Sequence, residues 1–533
     1  MAVFTRKTSG IVRSVTLFDA FLFGVTLAIP FAANFFLFPL YTYFLPGADW
    51  TLAVIIGLVL SIPNWILYAG MGSMMPRSGG DYVFQSRGVH ALLPVVSVLA
   101  WTVFLLIPVY TALMCFASAT LGVVPLLTTA GVVTNNSSML NLASWILTPN
   151  GLFTFTTIVI VIAFFNNVVG IKWVSRGQRW ILLPAMLISG VTIPVLLFST
   201  STATFTSNFN YYTQALNGTS GAYTKVLTAA GAAATPSFSL WHTFLVGSII
   251  AIAFLMWAVW SAPVFGEMKG ASNLRGLLFA FVAGALFQAF FLILPEFASF
   301  QNMVGSAFMN AVANQVYTGF PTLAFYPSMG MLTLMATTNV GVMILASVGF
   351  IVAGYFIVQM FYANLSRYLL AASIDGVIPA WFSSTSKRFK SPVNALIGVF
   401  VLYFLFAIVM DLVPSNFAFW ETVAIWTSGV LFLGTGLAGV FIPWTNKAMY
   451  KASPIAKYPG LLVLAGALAF LFSGFILVGY VVIPELEIGL GPLGGLIIVV
   501  AAILAIAWYE FFRLYQKRKG IDIGLAYKEL PPE

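Results

Sequence analysis

Residues 14 to 46 read SVTLFDAFLFGVTLAIPFAANFFLFPLYTYFLP, an apolar stretch long enough to cross a lipid bilayer. The stretch contains Gly24, Pro30 and Asn34, which weaken or interrupt a helix, and it carries a carboxylate at Asp19. Backbone groups freed by an interruption find no water in lipid and must bind protein or a guest molecule. Interrupted spans are typical of secondary transporters, although Gly and Pro are also common in ordinary membrane helices.

Composition assigns the whole chain to the membrane. Its 533 residues are 60% hydrophobic and only 7% charged, whereas a soluble domain has about 25% charged residues. The apolar runs are long and continuous, which favours helices over the alternating strands of an outer-membrane barrel. A single cysteine excludes an intramolecular disulfide, and two histidines exclude a His-rich metal site. We therefore expect an all-α polytopic membrane protein, embedded in the lipid bilayer and without a cofactor.

Hydropathy predicts twelve membrane spans of about 20 residues each. They lie near residues 17–45, 51–74, 94–123, 151–171, 180–200, 241–265, 276–298, 341–372, 393–412, 418–443, 460–483 and 491–515. All but one of the 23 Lys and Arg residues fall in the termini or in alternate loops on one side, here called the basic face, and the exception is Lys225. By the positive-inside rule the basic face and both termini are cytoplasmic, so the +9 net charge indicates orientation and not a nucleic-acid partner.

The loops predicted on the opposite face have a different composition. Residues 124–150, 201–240 and 301–340 are rich in small and polar residues and almost uncharged. They contain glycosylation sequons at Asn135, Asn136 and Asn217. Three-residue sequons often arise by chance, so we interpret these segments as exposed loops rather than as modified sites.

Two loop motifs on the basic face resemble those of a known family. Residues 75 to 84 read MPRSGGDYVF after the second predicted span, and residues 375 to 382 read DGVIPAWF after the eighth. Residues 266 to 269, GEMK, follow the sixth span. These motifs occur in the same order and on the same side of the membrane as motifs of the amino acid-polyamine-organocation (APC) superfamily of permeases, which they resemble. The resemblance covers nearly the whole chain.

The resemblance implies the fold of one transmembrane permease domain over residues 1–533. Twelve helices are expected in a LeuT-like arrangement, with a five-plus-five inverted repeat and two further C-terminal helices. The expected parts are a cytoplasmic N-terminus (1–16), a first repeat (17–200), an extracellular loop (201–240), a second repeat (241–443), helices eleven and twelve (444–515) and a cytoplasmic tail (516–533).

The resemblance also implies a central site where the first and sixth spans are discontinuous. Residues 254 to 266 of the sixth span read FLMWAVWSAPVFG, so Pro263 again lies inside an apolar run and predicts a break or kink. The expected substrate contacts are Gly24, Val25, Thr26, Leu27, Tyr110, Trp257, Ala258, Val259, Trp260, Ser261, Asn364, Trp426 and Thr427. Trp257 and Trp260 could cover the site as aromatic lids or face lipid.

A second group of residues is expected to gate or couple transport. Its members are Asp19, Arg77, Asp81, Glu267, Arg367 and Asp375. A carboxylate costs about 2.5 to 3.5 kcal/mol at the centre of a membrane helix, so Asp19 should lie near an end or face a cavity. It is a candidate proton relay or gate, or a cap-like group paired with Arg77 or Arg367. Arg77 could reach Asp19 or Asp81 when the inner side is shut, or anchor its loop at the headgroups.

The predicted function is secondary active transport of amino acids or closely related amines by alternating access, coupled to a proton or sodium gradient. Its partners are then a small-molecule substrate and the bilayer, and the sequence specifies no oligomeric state. The alternatives are a polyamine, organic-cation or nucleobase carrier of the same fold, and a membrane nutrient sensor that does not transport. An enzyme is not expected, because no Ser/His/Asp or metal-ligand pattern is present.

Overall fold

The computed structural model describes residues 10–27, 42–319, 322–412, 417–486 and 491–531, and within them the regular structure is helical. The α-helices are α1 (Leu17–Leu27), α2 (Trp50–Met74), α3 (Gly80–Gly88), α4 (Leu92–Val133), α5 (Ser137–Ile146), α6 (Pro149–Val169), α7 (Ile171–Ser199), α8 (Thr202–Asn217), α9 (Ala222–Ala230), α10 (Leu240–Ala253), α11 (Leu274–Thr318), α12 (Met329–Met335), α13 (Val340–Ile374), α14 (Val393–Leu412), α15 (Phe417–Thr445), α16 (Lys447–Ala452), α17 (Leu461–Val482) and α18 (Gly491–Arg518). This architecture confirms an all-helical polytopic membrane protein.

Eleven segments within the described residues are long and apolar enough to cross a membrane. They are α2, α4, α6, α7, residues Leu240–Glu267, α11, α13, α14, α15, α17 and α18. These segments coincide with the second to twelfth predicted spans. The first predicted span begins with α1, which is apolar but short, and its residues 28–41 lie outside the described part of the chain.

Polar side chains cap several of the long helices at their N-termini. The carboxylate of Asp49 accepts a hydrogen bond from the Leu52 amide at 2.9 Å, and the Asn273 side chain accepts from the Gly276 amide at 3.1 Å. Such caps satisfy amide groups that have no partner inside the helix. They explain why the spans begin within one or two residues of Asp49 and Asn273, slightly before the positions predicted from hydropathy.

The segments predicted as loops on the face opposite the basic face are largely helical, which corrects the prediction. α8, α9 and the end of α11 pack there around an aromatic cluster, in which the rings of Tyr223 and Phe308 stack at 4.3 Å, while α5 packs against α4 and α6 and α12 packs against α4 and α8. Phe205 and Phe209 of α8 lie four residues apart and are both buried in this cluster. The helices are shorter than a membrane span and rich in small polar residues, so hydropathy could not reveal them.

Candidate functional site

The sixth span is interrupted, as the sequence predicts. α10 ends at Ala253, where Phe254 adopts φ −133° and ψ −65°, and the chain continues in two 3₁₀ segments, Leu255–Val259 and Ala262–Glu267. The break begins nine positions before Pro263, so proline alone does not produce it. A 3₁₀ segment inside a membrane span leaves carbonyl groups that the α-helical ladder no longer satisfies.

Two side chains of α2 satisfy carbonyl groups of this broken segment. The amide nitrogen of Asn64 donates to the Met256 carbonyl at 3.1 Å, and the indole nitrogen of Trp65 donates to the Leu255 carbonyl at 2.9 Å. Both donors are buried. The second span therefore satisfies carbonyl groups that the break frees, and the sequence did not identify Trp65 as one of the donors.

Asn364 of α13 supports the break from the other side. Its amide nitrogen donates to the Trp260 carbonyl at 3.0 Å. The remaining polar atoms of this segment, Asn364 Oδ1, Trp260 Nε1 and Ser261 Oγ, are buried and have no hydrogen-bond partner among the described residues. Three side chains predicted to contact the substrate thus each bring an unsatisfied polar atom to the interrupted span.

The two predicted tryptophans face each other inside the protein and not the lipid. The rings of Trp257 and Trp260 lie 4.1 Å apart, and their side chains are 4% and 2% exposed. Trp257 donates its indole hydrogen to the Ile252 carbonyl, a further carbonyl at the end of α10. Ala258 and Val259 between them are fully buried. The lipid-facing interpretation of this pair is wrong.

The first span is helical at Gly24, which corrects the interruption predicted there. α1 runs without a break to Leu27, and Thr26 donates within it to the Leu22 carbonyl at 2.6 Å. A Cβ atom on Gly24 would lie 2.6 Å from the Ala258 carbonyl oxygen. This glycine therefore allows close approach of α1 to the broken sixth span and does not unwind its own helix. Val25 beside it is buried.

The seventh span also contacts α1 at this point. Gln288 lies in a π-helical turn of α11, and its amide nitrogen donates to the Gly24 carbonyl at 3.1 Å. Its oxygen Oε1 is buried and finds no partner in the ranges that the structure describes. The side chain of Leu27, and both Pro30 and Asn34, lie outside the described residues, so the predicted interruption at Pro30 stays a prediction.

Three further residues predicted to contact the substrate are Tyr110, Trp426 and Thr427, and their described partners are as follows. Tyr110 of α4 packs its ring against Phe361 of α13 at 6.4 Å. Trp426 of α15 instead donates to the Leu477 carbonyl of α17 at 3.2 Å, and Thr427 bonds within its own helix. The described hydrogen bonds of these two residues do not reach the break.

Phe432 of α15 contacts the broken span. Its ring lies 5.0 Å from that of Trp257. It is six positions after Trp426, which places the two on different faces of one helix. The sequence could have suggested Phe432 only through the helical periodicity of about 3.6 residues, because a phenylalanine in an apolar span carries no distinguishing signal.

An ion pair joins α13 to the end of the sixth span. The guanidinium of Arg367 binds both carboxylate oxygens of Glu267, at 2.6 and 3.0 Å, and both side chains are buried. The carbonyl of Glu267 also accepts from the amide of Val15, at 2.9 Å. Two residues of the predicted gate group are therefore partners, and they tie the sixth span to α13 and to the N-terminal segment.

Asp19 is paired with an arginine that the sequence analysis did not propose. Its oxygens accept from Arg179 at 2.7 and 2.6 Å, whereas Arg77 or Arg367 was expected. Asp19 also caps α1, because the Thr16 amide donates to it at 2.7 Å. The position near the helix end agrees with the cost of burying a charge at mid-span. Arg77 lies half-buried in the loop after α2.

A second buried ion pair joins another predicted gate residue to α3. Asp375, at the end of α13, accepts from the two terminal guanidinium nitrogens of Arg87 at 2.5 and 3.0 Å. Arg87 also donates to the carbonyls of Ala526 and Glu529 in the C-terminal tail. The role of Arg87 could not be predicted from the sequence, because its tail partners are more than 400 positions away and no motif links them.

Asp81 differs from Asp19, Glu267 and Asp375 because its described partners are hydroxyl groups and not an arginine. It accepts hydrogen bonds from Tyr68 of α2, from Tyr368 of α13 at 2.6 Å and from Thr435 of α15 at 2.8 Å. The side chain is 1% exposed. Three separate helices thus meet at one carboxylate.

A cavity of about 580 Å³ lies on the opposite face, apart from these residues. It is lined by Thr120 of α4, Leu140 of α5, Leu216 of α8 and Met331 of α12, and most of its wall is apolar. None of the predicted site residues lines it. Among the described residues there is no group of three or more His, Cys, Asp or Glu side chains arranged to hold a metal ion.

One family comparison covers almost all of this architecture. Residues 15–507 match the family described as amino acid permease, so the match includes α1, the broken sixth span and the buried ion pairs. No individually curated protein matches the chain. This family consists of transporters and not of enzymes, and its members act on small molecules from within the membrane. With nearly its whole length matched, the chain belongs to the amino acid permease family.

Proposed function

We propose that this protein is a secondary active transporter that carries amino acids, or closely related amines, across the cytoplasmic membrane by alternating access. The observation that carries the proposal is the group of polar atoms at the interrupted sixth span, on Trp260, Ser261 and Asn364, that have no partner in the described part of the chain. Each unsatisfied polar group costs several kcal/mol in a region without water. A polar guest molecule that supplies the missing partners removes that cost.

The chemistry of these atoms fits a zwitterion. The Trp260 indole and the Ser261 hydroxyl are donors suited to a carboxylate, while Asn364 Oδ1 and the Ser261 oxygen are acceptors suited to an ammonium group. The aromatic rings of Trp257 and Phe432 provide apolar surface beside them. This combination of a few polar groups in an aromatic setting is typical of small-molecule sites.

Closure of the basic face supports alternating access. The Arg367–Glu267 and Arg87–Asp375 pairs and the Asp81 cluster all lie on the basic-face side of the break. A substrate released on this side requires that such contacts separate. We therefore propose that the structure has the site closed toward the basic face, that this face is cytoplasmic, and that a proton or sodium gradient drives the cycle.

The described charges favour a zwitterion over a polyamine or other organic cation. A carrier of polycations needs an unpaired carboxylate beside its ligand. Glu267, which follows the broken segment, is bound by Arg367 at both oxygens. Neutral acceptors then recognise the ammonium group of the substrate. Such acceptors suit a zwitterion, in which the substrate's own carboxylate balances the positive charge.

Equilibrium binding of labelled substrates to the purified protein tests the site. A panel of amino acids and polyamines identifies the ligand, and Ser261→Ala and Asn364→Ala should each weaken its binding about tenfold or more, because hydrogen bonds to charged groups contribute about 1.5 to 3 kcal/mol. Asn150→Ala, on an exposed side chain at the start of α6, is the matched control and should bind normally. Equal affinity in all three variants would contradict the assignment of the site.

A further inference from the structure

The buried carboxylates of the basic face fall into two kinds. Asp19, Glu267 and Asp375 each bind an arginine. Asp81 is equally buried, yet the described residues provide it with hydroxyl donors and with no cation. A buried carboxylate without a counter-ion is stable only if hydrogen bonds or a proton compensate its charge.

The side chains that hydrogen-bond to Asp81 are neutral on each of the three helices that supply them, while Arg367 of α13 and Glu267 of the segment packed against α3 bind each other. Tyr68 faces it from α2, Tyr368 from α13 and Thr435 from α15. On its own helix Gln85 donates to Thr435 at 3.2 Å and accepts from Ser97 of α4. Tyrosine hydroxyls keep their protons at neutral pH, so none of these groups brings a formal charge to the carboxylate.

Aromatic contacts connect this cluster to the interrupted span. The ring of Tyr368 lies 6.4 Å from that of Trp260. The ring of Tyr68 lies 6.0 Å from that of Phe432, which in turn contacts Trp257. A change in how Asp81 holds the two tyrosines therefore acts directly on side chains that line the proposed substrate site.

We infer that Asp81 binds the coupling proton, holding it while the basic face is closed and releasing it to that face as the face opens. The inference rests on the proposed transport function and names its coupling ion and the ion's site. Closure surrounds the carboxylate with neutral groups, which favours the acid form. Opening hydrates the carboxylate, which favours the ionised form, and the proton leaves to bulk water.

The direction of the coupling follows from linkage. Asp81 lies in α3, outside the membrane-spanning segments, and burial raises its pKa in the closed form despite the three hydroxyl donors, which act in the opposite sense. In an open, hydrated form the pKa returns toward the ordinary value of about 3.9. The form with the higher pKa is stabilised by protonation, so proton binding favours closure and opening is accompanied by proton release.

Infrared difference spectroscopy of the purified protein tests the inference without requiring transport. A pH titration of the wild type should show a carboxylic acid band that Asp81→Asn lacks. Tyr368→Phe removes one hydroxyl donor to the carboxylate, so the midpoint of this band should move to higher pH, by about 1 pH unit. Tyr362→Phe is the matched control, because Tyr362 lies on the same helix and its buried hydroxyl has no partner among the residues described, so the midpoint of this variant should not move.

Transport in liposomes then separates this inference from the proposed function. Wild type should accumulate substrate when a pH gradient is imposed, whereas Asp81→Asn should retain substrate exchange at equal pH and lose gradient-driven accumulation. Substrate exchange by the wild type without any response to the pH gradient would overturn the inference and leave the carrier function intact. A titrating band that persists in Asp81→Asn, or gradient-driven uptake by that variant, would also overturn it.

Discussion

Gly24 of α1 lies against Ala258 of the interrupted sixth span, so closely that a Cβ atom on Gly24 would sit 2.6 Å from the Ala258 carbonyl oxygen. The two spans that define the proposed site therefore meet through backbone atoms. Gly24→Ala must push them apart or strain the contact, which typically costs about 1 to 3 kcal/mol. We expect lower thermal stability and slower transport, measured by unfolding in detergent and by uptake in liposomes.

Gly284→Ala is the matched control for this prediction. Gly284 of α11 also faces α1, but its Cβ atom would lie 3.5 Å from the nearest atom, the Phe21 carbonyl oxygen, which is an ordinary contact. Gly284→Ala should therefore be tolerated. If both alanine variants behave alike, the close approach at Gly24 has no special role.

The buried pair between Arg367 and Glu267 should be important for stability. Glu267→Gln leaves the guanidinium buried without its counter-charge, which typically costs about 3 to 5 kcal/mol. Glu510→Gln breaks the exposed pair with Arg513 and should cost no more than about 1 kcal/mol. Denaturant unfolding of the two variants measures the difference, and equal losses would show that the buried pair contributes no more than an exposed one.

The C-terminal tail should restrict access to α3. Arg87 donates to the carbonyls of Ala526 and Glu529, and burial raises the pKa of Tyr527 in the same segment. Deleting residues 522 to 533 removes these contacts, so a cysteine placed at the buried Ser86 should react several times faster with a maleimide. An unchanged labelling rate would mean that the tail does not cover this side of α3.

The orientation of the chain can be read from two further cysteine variants. Lys225→Cys lies in α9 on the face opposite the basic face, and Lys457→Cys lies in the loop after α16. The native Cys115 is buried and gives little background. In intact cells an impermeant maleimide should label Lys225→Cys and should label Lys457→Cys only after permeabilisation; the reverse pattern would invert the proposed topology.

The positions of the spans could be predicted because membrane helices are long, apolar and bounded by charged loops. The interruption of the sixth span was also predictable, since proline inside such a run cannot continue the helical ladder. Its location was not, because the donors that stabilise it, Asn64 and Trp65, come from α2 about 190 positions away. Hydropathy contains no information about which distant side chain satisfies a freed carbonyl.

Single residues were misassigned where one residue type has two uses. An isolated glycine in a helical pattern marks either a break or a close contact, and Gly24 proved to be the second. The arginine partner of Asp19 lies 160 positions away, and only the packing of α1 against α7 brings Arg179 to it. Trp426 was more conspicuous in the sequence than Phe432, although Phe432 is the one that contacts the broken span.

Net uptake of the identified amino acid into liposomes that contain the purified protein measures carrier function most directly. We predict accumulation above the external concentration under an imposed ion gradient, and strongly reduced accumulation for Ser261→Ala measured in parallel. If a ligand binds the purified protein but its uptake is no greater than in protein-free liposomes, the transport function is contradicted. The protein would then bind the ligand without transporting it.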